Sequence, residues 1–468
     1  MHHPLSNSSC WSDVYGLDPS DYLAVKDQSR PRSVPWWSAP HSDNDLQTGA
    51  EKTAASIFES ISGSLSGHKT VSCDISGGVD SCSVAAVAHH LGHSPDEDPI
   101  AIHGFTSISQ DEFNSDRLWA QDFSDSIGFD SHTFSRWDEM PRDYDGLDEM
   151  AAFALDEPSI AAIGHRRFTF LTDLAAKKGS SLHFTGYGGD QTFIGTPTHS
   201  ADALRTDPLW AISQIMTYRA MSRWDLRSCI QQLVSRREYG TWLARNALTS
   251  NRDRHEPLLT WGVPAQIPAW FDRNTVRQMT ERVDDAARTA QPLADLPGRH
   301  LEIDLIRQCT RMVRAIADIV AQKSGVLIVA PLIEENVVES ALSVRVQERV
   351  TPYEYKPVLT SALGWLLPPK IQGRQTKGGE DTDAALGFSG NIESIRRTWD
   401  ESRVDGEHED HGDYRRDGPE DEVGEASGDL SQGCGVGGGA GEEVAGPECV
   451  EVSYGKSEDV SRICHSGV

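Results

Sequence analysis

A chain of 468 residues with 71 acidic and 43 basic side chains carries a formal net charge of -28, which excludes a broad phosphate-binding face for DNA or RNA. Its length allows two or three domains and a sizeable core. No apolar run approaches the ~18–20 residues needed to span a bilayer, and Met1 to Cys10 has no basic segment followed by an apolar one, so neither a membrane span nor a secretory signal is expected. The eight cysteines form no C-x-x-C pair and no cluster with zinc-ligand spacing. Such scattered thiols fit a reducing cytoplasm, and Cys73 and Cys82 read as small apolar filler.

Residues 1–50 are polar and rich in turn formers, and they read as the edge of a domain. Glu51 to Leu65 is an amphipathic helix with Ala54, Ile57, Phe58, Ile61 and Leu65 on one stripe. An alternation follows. Thr70 to Ile75 is a short strand, and Asp80 to Leu91 is a helix closed by Gly92. Ile100 to Phe105 is a second strand. Asp111 to Gly128 is a helix with Phe113, Leu118, Trp119 and Phe123 facing inward. Phe168 to Ala176 is helical, and Ser181 to Thr185 is a third strand. Strands separated by helices predict an α/β fold with a parallel sheet covered by helices. Ligands of such sheets sit beyond the carboxyl ends of the strands. An additional helical part is expected from Leu209 to Leu248 and from Arg299 to Ser324. In the second of these Leu305, Cys309, Met312, Ile316 and Ile319 form a core stripe, and Gly325 supplies the stop. Residues 326–395 mix strand, turn and helix. From Glu401 to Val468 there are 18 acidic and 5 basic residues around a glycine run. That segment cannot bury enough apolar surface to offset chain entropy and is read as a disordered tail.

The segment richest in chemistry is Asp74-Ile75-Ser76-Gly77-Gly78-Val79-Asp80-Ser81, a strand end, a glycine turn and a helix start. The glycines permit positive φ and close approach of a ligand to the backbone. The first helical turn presents free N–H groups, and the helix dipole favours an anion there. Ser76 and Ser81 add hydroxyl donors. A carboxylate at Asp80 beside a bound anion is sensible when a cation such as Mg²⁺ bridges the two. These parts describe a pyrophosphate site. It is neither a Walker A loop nor a dinucleotide fingerprint, because the lysine of the first and the G-x-G-x-x-G of the second are missing here. Thr185-Gly186-Tyr187-Gly188-Gly189-Asp190 repeats the pattern of strand end, glycine turn and carboxylate. On one parallel sheet it would aim Asp190 and Asp80 at the same crevice. The basic loop Arg374-Gln375-Thr376-Lys377-Gly378 reads either as an ordinary surface loop or as one that offers Lys377 to charge developing on the α-phosphate or an oxyanion.

Together, in this order, these segments resemble the synthetase domain of the asparagine synthetase family over about residues 12 to 400. Ser76 to Ser81 is similar to that family's pyrophosphate loop, Thr185 to Asp190 to its second glycine loop, and Ala330-Pro331-Leu332-Ile333-Glu334, more weakly, to its Pro-Phe-Leu-Asp segment. The resemblance implies an adenine nucleotide alpha-hydrolase-like fold of the PP-loop ATP pyrophosphatase kind. It implies ATP and Mg²⁺ as cofactors, a carboxylate adenylated with loss of pyrophosphate, and attack by an amine. ATP would lie on Asp74, Ser76, Gly77, Gly78, Val79, Asp80, Ser81, Ser107, Thr185 and Gly186. Asp80 and Asp190 would hold the metal. Lys377 would stabilise the transition state, and Tyr187 would position or deprotonate the amine.

The chain departs from the family in three places. Glutamine-using members begin with a glutaminase domain whose N-terminal cysteine is the nucleophile, whereas here Met1 is followed by His2. Residues 1–50, with Asp13 to Pro19 and Trp36-Trp37, look like a remnant of that domain, ahead of a synthetase domain over 51–400. Tyr187 stands where asparagine-forming members keep a glutamate and ring-closing members, such as β-lactam synthetases, a tyrosine. The stretch from Trp36-Trp37 to Tyr355-Lys356-Pro357 and Arg374 to Gly378 is most similar to lasso peptide cyclases, which join an Asp or Glu side chain of a precursor peptide to its own N-terminal amine. That resemblance implies a peptide or small-molecule carboxylate as substrate, and a leader-peptide-binding protein and a cysteine protease as pathway partners. The tail over 401–468 departs from the family's helical ending, through a shifted reading frame or as a native acidic tail. Three rivals stand beside this reading. One is ammonia-dependent asparagine synthesis. Another is thiol transfer to tRNA, which needs cysteines at strand ends. The third is a degenerate nucleotide-binding protein.

Overall fold

The computed structural model describes residues 14–404, apart from 27–29, 96–97, 235–236, 250–254, 269–270, 375–377 and 380, with the backbone alone for 399–404. The expected tail therefore lies, from residue 405 on, outside the described residues. An N-terminal antiparallel hairpin joins β1 (Asp21–Ala24) to β2 (Arg32–Pro35). The central sheet takes β3 (Thr70–Asp74), β4 (Ala101–Ile108), β5 (Ser131–Arg136) and β6 (Leu182–Phe184). After the two-residue strands β7 (Leu248–Thr249) and β8 (Ala265–Gln266), it adds β9 (Leu327–Val329). Its order is β5-β4-β3-β6-β9, with every neighbouring pair parallel.

The order of strands along the chain reverses at β3. Successive strands β4 and β5 are added on one side, β6 and β9 on the other. Crevices of α/β sheets open at such a switch point, beyond the carboxyl ends of the strands. The carboxyl ends of β3 and β6 carry the two glycine turns, so topology alone brings those turns together.

Val71, Ser72 and Cys73 of β3 are fully buried, as expected of a central parallel strand covered on both faces. Helix α1 (Leu46–Leu65) is capped by Asp45, which accepts from Thr48 N at 2.8 Å. It buries Ile57, Ile61 and Leu65. The helices Glu335–Leu342 and Pro357–Leu363 pack on it. Helix α2 (Val79–Gly92) follows the Ser-Gly-Gly turn, and its Ser83, Ala85, Ala86 and Ala88 are buried. Small side chains on this helix allow close packing on the sheet. Then come α3 (Asp116–Ile127) and α4 (His165–Lys177), and after β6 the short α5 (Gly189–Phe193). The helix Pro297–Ser324 starts on a proline and ends at Gly325 with φ 69°, and it packs against α4 and β9. Its Cys309, Ile316 and Ile319 are core, as the periodicity predicts. A buried ion cluster fixes its first turns: Glu302 accepts from Arg349 Nη2 at 2.8 Å and lies 3.3 Å from His199 and Arg299. Burial would raise the Glu302 carboxyl, but Arg349 and His199 hold it well below the usual carboxylate range. No helix among the described residues is long and apolar enough to cross a membrane.

Several boundaries differ from the sequence expectation. Helix α1 starts at Leu46 rather than Glu51. Helix α3 starts at Asp116 rather than Asp111, and Phe113 and Leu118 are 95% and 64% exposed, not inward. The reason is local. Asp111 Oδ1 accepts from Phe113 N at 2.9 Å and Asn114 Oδ1 from Asp116 N at 2.9 Å, so side-chain-capped turns replace the first helical turn. The helical stretch over 209–248 is three helices, Pro208–Met221, Leu226–Val234 and Tyr239–Asn246, with Arg223 at φ 54° in the first break.

His132 on β5 adds a pH dependence. Its Nε2 lies 2.7 Å from Thr106 Oγ1, while Nδ1 is buried with no hydrogen-bond partner among the described residues. Burial pushes the imidazole down to about 4, Asp125 opposing it. Between about 6.5 and about 4 the unfolded chain binds a proton that the native chain refuses, so stability falls as pH falls through that window. His132→Gln is expected to flatten this slope relative to the parent in urea unfolding followed from pH 7 to pH 4. Parallel slopes in the two proteins would disprove it.

Candidate active site

The Ser-Gly-Gly turn is held from within. Ser76 Oγ and Ser81 Oγ lie 2.8 Å apart, Ser76 N donates to Ser81 Oγ at 3.1 Å, and Gly78 N donates to Ser76 Oγ at 3.3 Å. Gly77 takes φ 73°, and a Cβ there would stand 2.5 Å from Trp119 Cβ. Gly78 is the N-cap of α2, and Val79, Asp80 and Ser81 open its first turn. By helix geometry their N–H groups have no partner within the helix and face the crevice end.

The second turn packs directly on the first. A Cβ on Gly186 would stand 2.6 Å from Ser81 N, and one on Gly189 would fall on the Asp80 carboxylate. Glycine at these two positions is a condition for the loops to touch. Gly189→Ala is expected to keep the fold, since the clash is with a movable carboxylate, and to cost about 1–3 kcal/mol of stability by pushing Asp80 off Lys356. Urea unfolding curves of variant and parent check this; identical midpoints would sink it.

Asp80 and Asp190 meet at one point. Lys356 Nζ donates to Asp80 Oδ2 and lies 2.6 Å from Asp190 Oδ1. Lys356 is 1% exposed. Burial alone would lower its pKa; Asp190 and Asp80 reverse this and hold the ammonium well above its usual value. Tyr355 O–H donates to Asp190 Oδ1 at 3.2 Å. Burial pushes the Tyr355 phenol far above its ordinary range. Its ring centroid lies 4.7 Å from the Lys356 ammonium.

The other residues named from sequence lie around this centre. Asp74 Oδ1 lies 3.0 Å from His183 Nε2, whose Nδ1 contacts the buried Ser72 Oγ at 2.8 Å. Phe105 on β4 pairs with Asp74, so Ser107 lies on the part of β4 that runs past the end of β3. Thr185 is buried, and its Oγ1 accepts from Tyr187 N at 3.4 Å. Tyr187 packs against two buried clusters, one that includes Ile316 and Ile319 and one formed by Cys309, Val313 and Ala330. Lys377 lies outside the described residues. The flanks of its loop are described. The Arg374 guanidinium pairs with Asp116, and Gly378 N donates to Asp116 Oδ1 at 2.9 Å.

Sequence reasoning assigned no role to Lys356, Tyr355, Arg374 or Asp116. One signal was there to read. Lys356 precedes a proline that opens a helix, and a cation at a helix N-terminus opposes the dipole. It also takes φ 50°, ψ 55°, a left-handed conformation that non-glycine residues keep where surrounding structure enforces it.

The carboxylate pair suits a hard divalent cation. Asp80 and Asp190 already gather around one positive charge, and Mg²⁺ is commonly bound by one or two carboxylates plus substrate phosphates. No group of three or more His, Cys, Asp or Glu that could hold a metal occurs among the described residues.

The sequence model of the asparagine synthase family matches residues 53–411. The search of curated proteins gives no match. Among solved structures the chain is similar to the NH3-dependent NAD synthetase from Campylobacter jejuni, at 17% identity over 32% of this chain and 60% of that one, with a TM-score of 0.22. It is similar to the NMN synthetase from Francisella tularensis, at 14% identity over 32% and 58%, TM-score 0.22. It is also similar to the U34-tRNA thiolase NcsA from Methanococcus maripaludis, at 13% identity over 69% and 86%, TM-score 0.26. The chain thus covers 60% and 58% of the first two structures.

Proposed function

The chain belongs to the asparagine synthase family, and from that premise we propose that it is an ATP-dependent ligase that adenylates a carboxylate, releases pyrophosphate and couples the acyl group to an amine. The observation that carries this reading is the convergence of Asp80 and Asp190 on one buried ammonium beside the Ser76–Gly78 turn. A site built to gather two carboxylates round a cation, next to a helix N-terminus that attracts anions, has the charge pattern of a metal–pyrophosphate complex.

In this reading the Ser76, Gly77, Gly78 and Ser81 loop binds the β- and γ-phosphates of ATP, with Asp74 and Ser107 flanking the nucleotide. Asp80 and Asp190 would hold Mg²⁺, which would offset negative charge on the phosphates. A substrate carboxylate oxygen forms a bond to the α-phosphorus while the bond from that phosphorus to the bridging oxygen breaks, and pyrophosphate leaves. The amine nitrogen then attacks the acyl carbon, AMP departs, and the amine loses a proton. Lys356, beside Asp80 and Asp190, is assigned to neutralising the departing pyrophosphate, and Lys377 to the α-phosphate on sequence alone. Tyr187 is assigned, on sequence alone, to positioning or deprotonating the amine. The finer proposal is that carboxylate and amine belong to one lasso precursor peptide, so that the product is a macrolactam.

The thiol-transfer rival loses ground, because Cys73 and Cys82 are fully buried and burial raises both thiols far above their ordinary range. The test is a paired assay of pyrophosphate release and product mass. ATP with a precursor peptide carrying an internal Asp or Glu should release pyrophosphate and yield a peptide lighter by one water. Turnover of aspartate with ammonia instead would replace this product by asparagine. Nucleotide binding with no pyrophosphate from either substrate would leave only a degenerate binding protein.

A further inference from the structure

One buried ion pair outside the carboxylate centre grips the pyrophosphate loop from behind. Arg374 and Asp116 are a pair with side chains 2% and 15% exposed. The Arg374 guanidinium also donates from Nη1 to the Ser76 carbonyl at 3.4 Å and lies 5.2 Å from the centre of the Trp119 ring. Trp119 in turn abuts Gly77, and the Cβ that glycine lacks would stand 2.8 Å from Ala120 N. Asp116 Oδ1 takes a second donor, Gly378 N at 2.9 Å, while Asn114 Nδ2 donates to Gly379 O at 3.4 Å. The start of α3 therefore touches the Ser76–Gly77 backbone on one side and the chain at 374 and 378–379 on the other.

We propose that Asp116 and Arg374 are positioning residues for pyrophosphate: their pair fixes the Ser76 carbonyl and the positive-φ turn at Gly77 so that the turn's N–H groups point at the phosphates. The proposal rests on the ATP reading above and adds to it the residues that set the shape of the loop. The physical reason is that a glycine turn has many accessible conformations, and an oxyanion-type site gains its strength from donors held in place before the anion arrives. A guanidinium fork can brace a carbonyl and a carboxylate at once, whereas an ammonium is a single point of charge.

The consequence is selective. The brace acts on the loop that binds the β- and γ-phosphates, so its loss should weaken pyrophosphate and leave AMP little changed. Arg374→Lys and Asp116→Asn would be compared with the parent in full-length chains by titration calorimetry with magnesium pyrophosphate and, separately, with AMP. The expected result is a loss of about tenfold or more for pyrophosphate, the size usual when an outer-shell partner is removed, with AMP affinity within about twofold and an unchanged far-UV spectrum. Equal losses for both ligands, or no loss for either, would overturn the brace. If Asp116→Asn fails to fold, Arg374→Lys, which keeps the charge, decides alone. A parent chain that binds neither ligand removes the ATP reading together with the brace, whereas a parent that binds both while the variants match it removes only the brace.

Discussion

Asp80→Asn and Asp190→Asn are each expected to slow pyrophosphate release by about 10²–10³-fold, roughly 3–4 kcal/mol of transition-state stabilisation. The asparagine amide keeps the volume of the carboxylate and can still accept a hydrogen bond from Lys356. What it removes is one negative charge from a pair facing a common centre. Lowering the charge from two to one weakens the hold on a divalent cation while leaving the glycine turns in register, so nucleotide affinity without magnesium should change far less than the rate. Following release at rising magnesium concentration separates two causes. A metal role predicts that the variants need more magnesium to approach their own maximum. Near-parental rates at ordinary magnesium in both variants would show that neither carboxylate works on the metal.

How much of this could be read from the chain depends on where the information lies. The β3 turn and α2 were legible because strand, glycine turn, carboxylate and helix are contiguous from Thr70 to Gly92, and every part obeys a local rule. The second loop was legible for the same reason. Strand β5 was missed: Ser-His-Thr-Phe-Ser-Arg is an edge strand in which only Ser135 is buried, so it carries no apolar run. Phe113 and Leu118 were misplaced because helical spacing was extended through residues whose side chains cap turns. Lys356 and Asp80 are separated by 276 residues, as are Arg374 and Asp116 by 258. Contacts of that range leave no periodicity; only the sheet order, with its reversal at β3, brings them to one rim.

Lys356→Met is expected to be the most destabilising single change at the centre, by about 3–5 kcal/mol when no divalent ion is present. Methionine fills much of the same space, so the loss is electrostatic rather than a cavity. With the ammonium gone, Asp80 and Asp190 face each other across a site where the carboxylates are 17% and 18% exposed and no longer share a cation. Like charges at that range favour protonation of one of them, so the deficit should shrink as pH falls. Magnesium should also restore part of it, because a cation bound between the carboxylates only in the folded chain stabilises by about 2.7 kcal/mol at a hundredfold excess over its dissociation constant. The parent should gain less from magnesium, since Lys356 already balances the pair. The measurement is the urea midpoint of both proteins with and without magnesium. A variant as stable as the parent, or one whose deficit ignores both magnesium and pH, would mean that Lys356 does not hold the carboxylates together, and the shared cation centre would have to be abandoned.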